Sequence, residues 1–341
     1  MKKRVTWCAV FCLCLVFVLY GGVSHAAEKV FKNLKFSTSF QAVELPVIVS
    51  NRFMDNIEQK SGGRVKFERF VGGVLGKSTE QLALVSSGSV DLVTVNISPY
   101  RDKLPLHSYM NWHRGGPEAS VAVQNKLMVE IPETKAILDK EDQDNNMKIL
   151  FAMSTGICGL PARQPFTSLA DLKGKKIGAF PNYGALTEMG YNVISVDVSQ
   201  VYESLKNGVI DAMALTLVPA VGLKWYEVAK IWMSDGMSAS GQFIFINLKT
   251  WNSLPPDIQQ LFMDEARAAQ AYSIEKDKAD TQKGLQLFQN YRQLPDADGR
   301  ELWERQYRIL NGNMLDTATK QGKEREAKVI LNTLDGLVLG K

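Results

Sequence analysis

Two stretches about 120 residues apart say the same thing about this chain. EQLALVSSGSVDLVTVN (80–96) and SQVYESLKNGVIDAMALT (199–216) each read as a helix, a glycine stop and a strand that opens on Val/Ile-Asp. Gly88 and Gly208 suit the residue after a helix, which often needs positive φ. A strand that follows a helix in this way belongs to a mainly parallel sheet covered on both faces. Two such units predict two similar α/β lobes, with a cleft between them near the carboxyl ends of their strands. Asp91 and Asp211 open the two strands, and they are read as carboxylates beside strand-edge amides or a neighbouring helix N-terminus rather than as catalytic acids.

The rest of the pattern fits. Leu34 to Phe36 and Val65 to Glu68 read as strands. Between them Pro46 to Lys60 has apolar residues at helical spacing, stopped by Gly62-Gly63. Ser78 with Gln81 three residues on suggests a capping box at the start of the next helix. Ser168 opens a short capped turn. A polar helix at 133–146 leads into the strand-like MKILFAM (147–153), and QFIFIN (242–247) leads back, so these two segments are read as crossings between lobes. After Pro255-Pro256 a helix runs to about Phe288, long enough to lie across both lobes. Residues 296–338 read as further amphipathic helix on the second lobe. The expected limits are 28–150 plus about 240–275 for lobe I, and 151–239 plus about 276–341 for lobe II.

Residues 1–27 stand outside this scheme. Lys2, Lys3 and Arg4 precede an apolar run, and Ser24 to Ala27 form a small-residue cleavage site, which is a secretory signal peptide. Removing it leaves 37 basic against 36 acidic residues, a balance with no call for nucleic acid. It also removes Cys8, Cys12 and Cys14, so the exported chain keeps Cys158 alone and has no internal disulfide. Monomer is the default for a diffusing carrier.

The residues that could carry chemistry do not assemble into a catalytic set. His107 and His113 are six apart, which is not one-face helical spacing for a metal pair. Cys158 has no partner base in its neighbourhood and reads as a small buried residue. Nucleophile elbow, P-loop and dinucleotide fingerprint are all missing. No enzyme, metal or cofactor is expected.

Taken together, FMDNIEQKSGGRVKFERFVGGVLGKSTEQLALVSSGSVDLVTV (53–95), SLADLKGKKIG (168–178), VYESLKNGVIDA (201–212), KWYEVAKIW (224–232) and FINLKTWNSLPPDIQQLFMDEA (245–266) resemble the periplasmic substrate-binding proteins of tripartite ATP-independent periplasmic (TRAP) transporters, the DctP-like solute-binding family. The resemblance implies an α/β, two-lobe type II periplasmic-binding-protein fold with a long helix bridging both lobes. It implies capture of a small organic ligand, most often an acid, and delivery in the periplasm to a membrane permease of small and large subunits. A binding protein serving a membrane sensor kinase or chemoreceptor would share the fold.

The family's motifs also place a site. Many members carry arginines where this chain has Gly178 and Cys158, and the former clamps the ligand's carboxylate bidentately. With neither present, two outcomes are open. A relocated cation, Arg163, Lys77 or Arg101, holds an acid; or a neutral or aromatic ligand packs on Phe180, Tyr183 and Phe40. By position the first lobe supplies Ser39, Phe40, Lys77 and Asn96. The second supplies Thr155, Cys158, Gly178, Phe180, Asn182, Tyr183, Leu215 and Thr216, and the return crossing supplies Ala239 and Gln242.

Overall fold

The computed structural model describes residues 33–110, 112–179 and 183–340. The signal-peptide reading and Phe180 and Asn182 therefore lie outside the described residues. Its elements run in order as β1 (Asn33–Thr38), α1 (Leu45–Lys60), β2 (Lys66–Phe70), α2 (Gln81–Ser87), β3 (Leu92–Asn96), β4 (Trp112–Arg114), α3 (Gly116–Asn125), α4 (Pro132–Asp144) and β5 (Met147–Ala162). Next come β6 (Lys176–Ala179), α5 (Ala185–Glu188), β7 (Asn192–Ser195), α6 (Val201–Lys206), β8 (Ala212–Met213), β9 (Leu215–Thr216) and α7 (Leu217–Gly222). The chain finishes with β10 (Ile231–Asn247), α8 (Leu248–Ser253), α9 (Pro256–Leu285), β11 (Asn290–Gln293), α10 (Asp296–Lys320) and α11 (Glu324–Leu339).

One curled sheet orders the strands β2-β1-β3-β10-β5-β8-β6-β7. β1, β2 and β3 are parallel to one another, as are β6, β7 and β8. Between these two sets run β5 and β10, antiparallel partners of 16 and 17 residues that pass through both lobes. The short crossings read from the sequence are thus the ends of two long strands. Bulges interrupt their register between Ser234 and Gln242, where the strands leave one lobe for the other.

Each half opens its repeated strand in the same way. Asp91 accepts the Lys35 amide at 2.8 Å, and Asp211 accepts the Lys176 amide at 3.0 Å. The backbone answers in both places, Asp91 N–H to Lys35 C=O and Asp211 N–H to Lys176 C=O. Gly88 and Gly208 have φ of 76° and 71°, so both helices stop on the left-handed residue their glycines permit.

α9 lies along β5 and covers its free edge in the first lobe, an edge that would otherwise expose unpaired backbone. The Gln270 amide donates to Ala152 C=O at 3.1 Å. Two turns on, Asp277 accepts the Ser154 hydroxyl and the Gly156 amide. At the other end Glu265 takes Lys60 and Asn56 of α1. With 30 residues the helix is about 45 Å long and spans both lobes.

One local expectation needs correcting. Ser78 does not cap α2. The helix starts at Gln81, after a turn in which Glu80 accepts the Lys77 amide at 2.7 Å. Gln81 is buried instead, taking the Ser37 hydroxyl at 2.7 Å and donating to Gly76 C=O at 2.6 Å. The capped turn at Ser168 is present, with Asp171 closing its box.

A buried charge cluster holds the loop before β4. His107 is fully buried, with Nδ1 2.8 Å from Glu141 and Nε2 3.2 Å from Asp142. Burial opposes its charge, but the two carboxylates outweigh that and lift its pKa to about 10. Glu141 also accepts the Leu106 and His107 amides and Lys323 Nζ, which joins α4 to the start of α11.

Candidate functional site

The parallel strands of each lobe end where β5 and β10 cross between lobes. In the first lobe β1 runs out into Ser39 and Phe40, both half-buried. The Gly72 and Gly73 amides pin this loop by donating to Phe40 and Thr38 carbonyls at 2.8 and 3.0 Å. Beneath it, Thr38 donates to Thr94 C=O at 2.8 Å, and the Thr94 and Ser50 hydroxyls lie 2.8 Å apart. β3 ends at Asn96, whose Oδ1 accepts the Ser98 amide at 2.8 Å. Lys77 is exposed on the rim.

The second lobe contributes from β5 and β9. Thr155 is half-buried just past the crossing. Cys158 is buried and faces Thr216 in register, with Leu215 opposite Gly159. Gly178 lies buried in β6. A Cβ there would sit 2.7 Å from Met213 Sδ and 2.8 Å from Ile210 Cδ1, among apolar side chains of the second lobe. Tyr183 is buried too, its hydroxyl donating to Asp235 at 2.9 Å. Burial pushes Asp235 up to about 6, against the bonds from Met237 N–H and Tyr183. Burial likewise drives the Tyr183 phenol well above its ordinary value.

β10 brings the two lobes together. Gln242 stands opposite Asn96 on one side and Met153 on the other. Ala239 is paired with Trp112 of β4, and Ser238 with His113. Asn96 with Gln242, and Cys158 with Thr216, are thus the predicted site residues that pair directly across strands.

The three candidate cations differ sharply. Arg163 lies 3.7 Å from Asp211 and packs on Gly208. Lys77 is exposed. Arg101 follows the short turn after β3, is half-buried, and has no partner at Nε; no carboxylate among the described residues pairs with it. Sequence reading weighed His113 only as a metal ligand and passed over Ser238 and Asp235. For His113 and Ser238 the signal is the register of a three-residue strand on β10, and for Asp235 it is Tyr183 52 residues away; no local pattern announces either. The described residues contain no cluster of His, Cys, Asp and Glu suited to a metal ion. None of their helices is long and apolar enough to cross a membrane.

Two α/β lobes, joined by a pair of through-running strands and a bridging helix, define the periplasmic-binding architecture of TRAP substrate-binding proteins. The chain belongs to the bacterial extracellular solute-binding proteins of family 7, whose model matches residues 37–294. Among curated relatives, the 2,3-diketo-L-gulonate-binding periplasmic protein YiaO of Escherichia coli is 23% identical over 259 residues, 74% of this chain and 77% of that protein. A TRAP periplasmic solute-binding protein from Desulfovibrio salexigens superposes with a TM-score of 0.77 at 19% identity, covering 90% of this chain and 96% of that one. Another from a Sulfitobacter species, solved with bound β-D-galacturonate, gives 0.67 at 17% identity, covering 91% and 100%.

Proposed function

We propose that this protein captures a small organic acid in the cleft between its two lobes and delivers it in the periplasm to a TRAP membrane permease of small and large subunits. Arg101 is the observation that carries the reading. A half-buried guanidinium without an acidic partner has lost part of its hydration and awaits an anion. It leaves β3 at the end where ligands bind in open α/β sheets. The positions where relatives place clamp arginines are uncharged here, Gly178 and Cys158, so the acid is held from the first lobe. Several solved TRAP-protein relatives carry acids: β-D-galacturonate, D-glucuronate, pyroglutamate and orotic acid. Around this anchor we place Ser39, Phe40, Asn96, Thr155, Leu215, Thr216 and Gln242 as the walls.

The test is calorimetric titration of ligand-free protein with those four acids. Arg101→Gln should weaken the acid that binds best by about thirtyfold, the worth of one charge-assisted contact of about 2 kcal/mol. If none of the acids binds, or if the substitution leaves affinity unchanged, the proposal fails.

A further inference from the structure

Most buried polar side chains among the described residues are answered by a neighbour: Ser37 by Gln81, Ser50 by Thr94, Ser154 by Asp277, Tyr183 by Asp235. A few are not. Three are single indole N–H groups, those of Trp225, Trp232 and Trp303, set apart within the second half. His107 Nε2 and Asp142 Oδ1 face each other as an ion pair. The remaining unanswered groups include a set carried by β4 and β10. Neither ring nitrogen of His113 has a partner, nor does Ser238 Oγ, nor Gln242 Oε1.

Strand pairing places them along one stretch of β10. β4 is three residues long and docks on β10 at Met237–Ala239. There His113 stands directly opposite Ser238, a pairing that puts both side chains on one face of the ladder. Four residues on, after two breaks in register, β10 presents Gln242 opposite Asn96. Asn96 does not answer it: Gln242 Oε1 accepts no bond, and Asn96 Oδ1 takes the Ser98 amide instead. His113 is 1% exposed and Ser238 0%. This is the stretch where β10 passes from its pairing with β3 to its pairing with β4 and β11. Unanswered buried donors and acceptors are costly, and native proteins keep few of them without a use.

We propose that His113, Ser238 and Gln242 form a polar floor that reads the uncharged hydrogen-bonding face of the ligand, its hydroxyl or amide groups. The inference deepens the organic-acid reading and rests on it: Arg101 takes the acid end, and the floor takes the rest. Chemistry sets the class. Burial holds the His113 imidazole down at about 4, so at neutral pH it offers one N–H donor and one bare acceptor nitrogen. A serine hydroxyl offers both functions, and the glutamine carbonyl oxygen accepts. Such a floor matches groups that donate and accept together. A simple dicarboxylate has none between its charged ends. The protein should therefore favour hydroxy or amide acids over bare diacids, because a site built to bond such a group rejects an analogue lacking it.

Three substitutions test this, each removing the polar atoms at similar shape: His113→Phe, Ser238→Ala and Gln242→Leu. Melting of ligand-free protein is measured first. If the atoms are unanswered without ligand, these variants melt at the wild-type temperature or above it. Titration then uses D-glucuronate and pyroglutamate, each beside a counterpart without the groups, adipate and cyclopentanecarboxylate. The expected result is a loss of tenfold or more in affinity for the bound probe in each variant, and a wild-type preference of at least a hundredfold over its counterpart. A fall of several degrees in ligand-free His113→Phe overturns the inference whether or not a probe binds, since the ring nitrogens then have interior partners such as water. Unchanged affinity in the variants, or equal binding of the stripped counterparts, overturns it as well. Failure of the organic-acid reading is seen separately, in an Arg101→Gln protein that binds as before.

Discussion

Glu141→Gln is the substitution with the largest consequence that the structure allows to be worked through. Glu141 is 1% exposed and holds His107, two backbone amides and Lys323 at once. Glutamine keeps the shape and one acceptor but removes the charge, leaving the His107 imidazolium with Asp142 alone. Breaking a buried pair by neutralising one partner costs about 3–5 kcal/mol. At about 2 °C per kcal/mol for a chain of this size, the melting temperature should fall by about 6–10 °C. The pH dependence supplies a second signature. His107 has a folded value of about 10, above its ordinary 6.5, so its proton stabilises the fold fully below about pH 6.5 and the contribution fades as pH rises toward 10. Wild type should lose several degrees between pH 7 and pH 10, and Glu141→Gln should lose fewer, having less to lose. Scanning calorimetry at both pH values measures each quantity. The 0.5 M NaCl condition belongs in the same experiment, since a buried cluster is screened little and exposed pairs such as Lys328–Glu324 much more. A variant melting within 1 °C of wild type, with the same alkaline drop, would refute the reasoning.

Four further substitutions probe the frame. Gly159→Ala places a Cβ 2.5 Å from the Met233 carbonyl and 2.8 Å from the Trp232 ring, neither of which can yield easily, so denaturant unfolding should show a loss of about 3 kcal/mol. Gly178→Ala meets only the flexible ends of Met213 and Ile210 and should cost about 1 kcal/mol; an equal cost at the two sites would contradict the distinction. Asp91→Ala removes bonds to the Lys35 amide and the Thr250 hydroxyl at 2.8 and 2.6 Å, a loss of about 2 kcal/mol. At Asp211 the second partner is Arg163, 3.7 Å away and partly in solvent, so urea denaturation should find a loss of about 1 kcal/mol for Asp211→Ala.

How much of this was legible in the sequence depends on how local its cause was. The repeated strand openings were readable because Gly88, Asp91, Gly208 and Asp211 act within a few residues of themselves, or on the next strand along. The long helix was readable because nothing breaks it between Pro256 and Gly284. Ser78 misled because the capping pattern competes with tertiary demands, and Gln81 was drawn inward by Ser37, 44 residues away. The full length of β5 and β10 was hidden because serines and glycines such as Ser154, Gly156, Ser234 and Gly236 favour strands weakly, and the fold carries that stretch through shifts in register. The candidate site suffered most. His113, Asp235 and Glu141 draw their meaning from partners on other elements, and His113 gains its from having none.

The way α9 is fastened has a mechanical consequence. Two strands and one helix bridge the lobes side by side, and Gln270 and Asp277 rivet the helix to β5 at Ala152 and at Ser154 and Gly156. Sliding or swivelling would shear those rivets and the ladder beside them. Flexure perpendicular to the ladder spares both, and the bulged stretch is where stiffness is lowest. The joint therefore works as a leaf spring with a single soft axis, so that one coordinate describes how far the jaws stand apart.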